Sequence, residues 1–270
     1  MLQIHAAYKT FNPGTSNEVR ALRGVDLKID EGSFVIVIGS NGSGKSTLQS
    51  AIAGGFLLDS GTLTLDGTNI TAWPEHRRAA FIGRVFQNPF SGTAPSMSIA
   101  ENFALAARRG RPRGLGWTLS RSMLREIHDA VHRLNIGLEQ RLEQPIGTLS
   151  GGQRQALTLL MASWRKPKLL LLDEHTAALD PKSADQVIQL SEEIVARDKL
   201  TTLMVTHSMQ QATQLGDRLV MMHRGRVIHD FRGADKQRLR VDDLLNRFED
   251  VRRAEQLDES AAEMLQRLYV

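Results

Sequence analysis

The stretch Gly39-Ser40-Asn41-Gly42-Ser43-Gly44-Lys45-Ser46 limits what this chain can become more than any other segment. It fits the pattern G-x-x-x-x-G-K-[ST]. Glycines at these places let the backbone come close to an anion and take up angles that side chains oppose. Consecutive N–H groups then form a concave nest for phosphate oxygens, and a helix opening behind the loop adds the positive end of its dipole. In such a loop Lys45 reaches the β- and γ-phosphates and the Ser46 hydroxyl ligates Mg²⁺. The device requires a strand before it and a helix after it. Phe34-Val35-Ile36-Val37-Ile38 is an unbroken apolar run, as in a strand buried on both faces. Residues 46–55 read as a helix stopped by Gly54-Gly55. The expected core is an α/β sheet flanked by helices, with a nucleotide at its edge.

A second strand ends in acids. Leu169-Leu170-Leu171-Leu172-Asp173-Glu174 is an apolar run closed by two carboxylates. The strand carries Asp173 to the sheet edge where α/β folds bind ligands. There Asp173 is expected to hold Mg²⁺ through water, and Glu174 to polarise an attacking water.

Elsewhere the chain alternates strands and helices. Leu2–His5, Val25–Ile29 and Gly61–Leu65 read as strands, with a turn at Asn12-Pro13-Gly14. Residues 88–163 turn mostly helical and suggest an inserted subdomain. It includes a helix after Ser120 with Met123, Leu124, Ile127, Val131 and Leu134 on one stripe, and another over 151–163. A helix follows Asp180 as N-cap with Pro181 in its first turn. A strand at Leu203–Val205, a helix near 208–215 and a hairpin over Arg218–Met222 and Arg226–Asp230 complete a unit of residues 1–240. Residues 241–270 read as a helical extension. Val241, Leu244, Leu245 and Phe248 form one stripe, and a capping box at Ser260-Ala261-Ala262-Glu263 opens a second helix.

Composition closes several alternatives. The 270 residues include no cysteine, so disulfides and thiolate metal sites are excluded and a reducing compartment fits. No apolar run nears the roughly 18 residues of a membrane span, and no secretory leader is expected at the N-terminus. With 34 basic against 30 acidic residues the surface is nearly balanced, so no nucleic-acid partner is expected. The basic run Arg108-Arg109-Gly110-Arg111-Pro112-Arg113 reads as a solvated loop in preference to a lipid contact. His128 and His132 share a helix face but lack a third ligand in view.

Leu149-Ser150-Gly151-Gly152-Gln153 presents a hydroxyl and open amides at a helix N-terminus. It resembles the signature motif of the ATP-binding-cassette superfamily. The other motifs of that family occur in its order, over about residues 2–230. Gln87 resembles the Q-loop glutamine, Ala177-Ala178-Leu179-Asp180 the D-loop, His207 the switch histidine, and Tyr8 the aromatic that stacks on adenine.

The resemblance implies a P-loop NTPase core, an antiparallel β subdomain and an inserted helical subdomain. It implies that ATP is bound by Tyr8 and by Gly39, Ser40, Asn41, Gly42, Ser43, Gly44, Lys45, Ser46 and Thr47. Gln87 would sense metal and water and relay to membrane subunits. Glu174 would be the general base, and His207 would hold the γ-phosphate and the water. Ser150, Gly151 and Gly152, with Gln153 beside them and Asp180 in the D-loop, would serve the nucleotide of a second copy placed head to tail.

One position and one segment depart from the family pattern. His175 stands where many members have proline, and Gln155–Ala162 is less basic than usual. Neither residue set touches the chemistry, and His175 is given no catalytic part. The run Asp173–Pro181, with Met204-Val205-Thr206-His207, resembles ATPases of bacterial uptake systems. The resemblance therefore implies import of a small solute such as an amino acid, with separate permease subunits, a periplasmic solute-binding protein, and a place on the cytoplasmic face of the inner membrane. The alternatives are the ATPase of a split exporter, or a soluble mechanoenzyme on nucleic acid or the ribosome. The latter usually carries two such domains or a long inserted coiled coil, and neither is visible here.

Overall fold

A computed structural model describes residues 1–110, 119–251 and 253. Its strands are β1 (Leu2–Phe11), β2 (Val19–Ile29), β3 (Phe34–Gly39), β4 (Ser60–Leu65), β5 (Thr68–Asn69), β6 (Ile82–Val85), β7 (Leu169–Asp173), β8 (Thr202–Val205), β9 (Arg218–His223) and β10 (Arg226–Arg232). Its helices are α1 (Lys45–Ala53), α2 (Glu75–Arg78), α3 (Ile99–Ala107), α4 (Arg121–His132), α5 (Gly151–Ser163), α6 (Pro181–Asp198), α7 (Met209–Gln214) and α8 (Gly233–Arg238). A further helix runs over 241–251.

The larger sheet has the order β10-β9-β3-β8-β7-β6. All its neighbours pair in parallel except β10, which runs antiparallel to β9 at the edge. The apolar runs lie where sequence places them: β3 is buried along its whole length, and Leu169 to Leu172 are fully enclosed. A second, antiparallel sheet has the order β2-β1-β4-β5. One core joins its inner face (Leu2, Val25, Leu63) to α1 and one face of the larger sheet (Val35, Val37, Leu171). The opposite face (Ile36, Leu170, Met221) packs against Leu159 of α5, Ile194 of α6 and Leu244 of the 241–251 helix. A third cluster gathers Phe103, Ile127, Val131 and Leu157. So α5 serves both the helical subdomain and the sheet.

Several expectations need correction. β1 and β2 are longer than the alternating segments suggest, and β6 was not read at all. Leu245 is 46% exposed and lies off the buried stripe that Leu244 and Phe248 share. Arg109 is not simply solvated: its guanidinium donates to Ala162 O at 2.9 Å, near the C-terminal end of α5. Residues 111–113 and the capping box at Ser260 lie outside the described residues.

Candidate nucleotide site

The loop between β3 and α1 is shaped by contacts that only glycine permits. A Cβ on Gly39 would sit 2.3 Å from Met222 O. One on Gly44 would sit 2.5 Å from Ala21 O, and Gly44 has φ +100°. Asn41, Gly42 and Ser46 are exposed and Ser40 half-buried, so the rim of the nest faces solvent. Lys45 is buried, and its ammonium donates to Gly39 O at 2.8 Å and Ser40 O at 3.0 Å. Burial pulls its pKa down, while the nearby Glu174 and Asp173 carboxylates pull it back up. Gln49, one turn further on, was missed by the sequence reading. Its buried amide donates to Leu172 O at 2.9 Å and Leu203 O at 3.3 Å, which pins α1 to β7 and β8.

β7 and β8 are neighbours, with Asp173 opposite Val205. The loops that leave them therefore emerge side by side. His207 Nε2 lies 2.6 Å from Glu174 Oε1, and Gln87, past the end of β6, donates from Nε2 to Glu174 Oε2 at 3.1 Å. Each carboxylate oxygen of Glu174 thus has its own partner. Asp173 faces Arg84 of β6 at 3.3 Å. Thr47 follows Ser46 in the first turn of α1. The fold has brought Lys45, Gln87, Asp173, Glu174 and His207 to one sheet edge.

Ser150, Gly151 and Gly152 lie elsewhere. Ser150 caps α5 in a reciprocal box: its Oγ accepts from Gln153 N, and Gln153 Oε1 accepts from Ser150 N, both at 3.3 Å. A Cβ on Gly152 would meet Ser183 Cβ at 2.7 Å, and one on Gly151 would meet Leu179 at 3.3 Å. The start of α5 is packed against the D-loop and the start of α6. There Asp180 accepts from Ser183 N at 3.0 Å, and the Ser183 hydroxyl together with that backbone bond holds its carboxyl below the usual range. Among the described residues no hydrogen bond joins residues 150–152 to residues 39–47. Tyr8, on β1, is 47% exposed and its ring lies over Gly24, leaving it open for stacking.

The link between α5 and the Q-loop was also missed. Gln155 Nε2 donates to Phe86 O at 2.9 Å. Buried Arg154 donates to Ile146 O and stacks on Phe90 at 4.2 Å. Beside it a groove of about 510 Å³ runs between β6, α3 and α5, lined by Ile82, Phe86, Leu105 and Met161 with Arg84 among them. His128 and His132 are stacked rings 6.3 Å apart. Among the described residues no group of three or more His, Asp or Glu side chains is placed to hold a metal, and no helix is long and apolar enough to cross a membrane.

The family model described as ABC transporter matches residues 22–177. The chain is 44% identical over 251 residues to a tyrosine transport ATP-binding protein of Clostridioides difficile, covering 92% of this chain and 99% of that one. It is 35% identical to lipoprotein-releasing system ATP-binding protein LolD 1 of Caulobacter vibrioides, over 82% of this chain and 92% of the relative. Among solved structures it resembles the ATP-binding cassette MJ0796, a dimer in a post-hydrolysis state bound to ADP and Pi. The TM-score is 0.72 at 26% identity, covering 86% and 98% of the two chains.

Proposed function

The chain belongs to the ABC transporter family, as its ATP-binding, ATP-hydrolysing subunit, and we propose that it powers uptake of a small solute, an amino acid such as tyrosine or a close analogue, through separate permease subunits. The near end-to-end match to the tyrosine transport relative supports the solute class. The observation that carries the mechanism is the double hold on Glu174 by His207 and Gln87.

In this reading Tyr8 stacks on adenine, and residues 39–47 wrap the phosphates. Lys45 leaves the Gly39 and Ser40 carbonyls for the γ-phosphate, which its burial makes favourable because the incoming charge is anionic. Glu174 takes the proton from the attacking water, and His207 holds that water and the γ-phosphate in line. The Ser46 hydroxyl, the Asp173 carboxylate and the Gln87 amide oxygen form an all-oxygen donor set that fits a hard divalent cation such as Mg²⁺. Gln87 already points its amide nitrogen at Glu174, which leaves its oxygen for the metal side. When bound there, Mg²⁺ would supply neutralisation of the charge that develops on the transferring phosphate.

Ser150 to Gln153 and Asp180 serve the nucleotide of a second copy docked head to tail; the lack of any hydrogen bond from residues 150–152 to residues 39–47 among the described residues supports this, as does the dimeric cassette MJ0796. The groove beside Phe86 and Leu105 takes the permease. A periplasmic solute-binding protein delivers the solute, and the chain sits peripherally on the cytoplasmic face of the inner membrane. Residues 1–240 form the nucleotide-binding domain and 241–270 an added helical extension. Service to a lipoprotein-releasing system, as named for the Caulobacter relative, is the second reading.

The test is an affinity pull-down of tagged Glu174→Gln chain from solubilised native membranes with Mg-ATP, followed by reconstitution of the wild-type complex in vesicles. A polytopic partner and ATP-driven entry of labelled tyrosine support the proposal. Ribosomal proteins without a membrane partner, or a complex that moves no amino acid inward, contradict it.

A further inference from the structure

Directly after Glu174 the chain buries a histidine. His175 is fully enclosed, and its Nε2 lies 2.9 Å from Ser191 Oγ on α6. Ser191 Oγ spends its own proton on Val187 O at 2.7 Å, so it meets the ring with a lone pair. Nε2 is therefore the protonated nitrogen. Nδ1 is a buried acceptor that has no hydrogen-bond partner among the described residues. An unmet acceptor destabilises a core. If the side chain at 175 only filled space, an apolar one of similar size would do better.

The residue it follows is strained. Glu174 has φ +45°, the left-handed region that a side chain disfavours. Such a conformation persists only where its surroundings over-determine it. Glu174 N donates to Val205 O at 3.0 Å, and Glu174 O accepts from Ala177 N at 2.9 Å. Those bonds fix the main chain on either side. Across the same turn the Glu174 carboxylate goes to His207 and Gln87, while the His175 ring goes to α6.

We propose that His175 is a positioning residue: bonded to Ser191, it locks the left-handed turn at Glu174 and so aims the carboxylate at the attacking water. The proposal rests on the reading of Glu174 as the general base. It explains why a ring with an unmet acceptor is kept in a core. It also ties the aim of Glu174 to α6, the helix that opens at Asp180.

The test compares His175→Met, His175→Gln and Ser191→Ala in steady-state Mg-ATP hydrolysis, with ATP affinity and thermal midpoint measured on the same preparations. Methionine fills the space without the hydrogen bond. Glutamine returns an amide N–H near the place of Nε2. Ser191→Ala removes the acceptor from the other side and touches no nucleotide-binding residue. His175→Met and Ser191→Ala are expected to lower kcat on the order of tenfold to a hundredfold, with KM held within about twofold and no fall in melting temperature for His175→Met. His175→Gln is expected to recover most of kcat. Wild-type kcat in Ser191→Ala overturns the proposal, as does a His175→Met loss that tracks melting temperature and is not restored by glutamine. If His175→Met does not fold, Ser191→Ala and His175→Gln decide. Glu174→Gln is assayed alongside. If it hydrolyses ATP, the general-base reading fails; if it is dead while Ser191→Ala is normal, only the His175 proposal fails.

Discussion

His207 Nε2 and Glu174 Oε1 lie 2.6 Å apart although each belongs to a different strand-to-helix loop. The parallel pairing of β7 and β8 makes this possible, since Asp173 and Val205 are opposite one another and the loops leave the sheet together. A histidine that both orients a base and reaches the phosphate should act on turnover, not on binding. His207→Ala is expected to lower kcat on the order of a hundredfold or more and to leave Mg-ATP affinity nearly unchanged. Stopped-flow binding beside steady-state hydrolysis checks this.

Lys45 is the buried cation of the phosphate loop, and its present partners are two loop carbonyls. Lys45→Ala removes a charge-assisted contact to phosphate, expected to weaken nucleotide binding by roughly tenfold or more and to abolish hydrolysis. Calorimetric titration with ATP reads the first effect and phosphate release the second. Near-normal turnover would refute its phosphate role.

Ser150 caps α5 through Gln153, and among the described residues it makes no hydrogen bond to the chain's own phosphate loop. Ser150→Arg is expected to block turnover while ATP binding to the monomer stays normal. Equilibrium binding at protein concentrations too low for dimers distinguishes the two. Lost monomer binding would contradict the head-to-tail arrangement.

Away from the site, Asp230 joins Arg218 and Arg232 on the edge hairpin. Burial pushes its carboxyl up, but hydrogen bonds from Arg218 and Arg232 outweigh this and hold it at about 2. A depressed folded pKa gives stability that is fully present above the unfolded value of 3.8 and is lost as pH falls through about 2. Asp230 is exposed, so solvent screening leaves on the order of 1 kcal/mol of this at neutral pH. Asp230→Asn should remove it, so denaturant midpoints of wild type and variant should differ at pH 6 and close up as pH falls from about 4 through about 2.

Much of the site was legible because its signals are local. The phosphate loop, the Asp173-Glu174 pair and the caps at Ser150 and Asp180 are each written within a few consecutive residues. What stayed hidden depends on distant partners. β6 is four residues long and holds Gly83 and Arg84, so it shows neither alternation nor a continuous apolar run. Gly83 is there because a Cβ would sit 2.5 Å from Ala162 O on α5, and Arg84 because it faces Asp173. Arg78 carries no sequence signal of its own, yet it is fully buried and donates to Ala51 O and Ile52 O at the end of α1. His175 looked like a neutral departure. Its bond to Ser191 is visible only once α6 has folded over β7.

The central claim is that two copies close over ATP and that Glu174 is the base that reopens them. Sedimentation of purified Glu174→Gln chain with and without Mg-ATP tests it most directly. The account predicts a monomer alone, a dimer with trapped, unhydrolysed ATP, and no such dimer when Ser150→Arg is added. A Glu174→Gln chain that stays monomeric and hydrolyses ATP would contradict it.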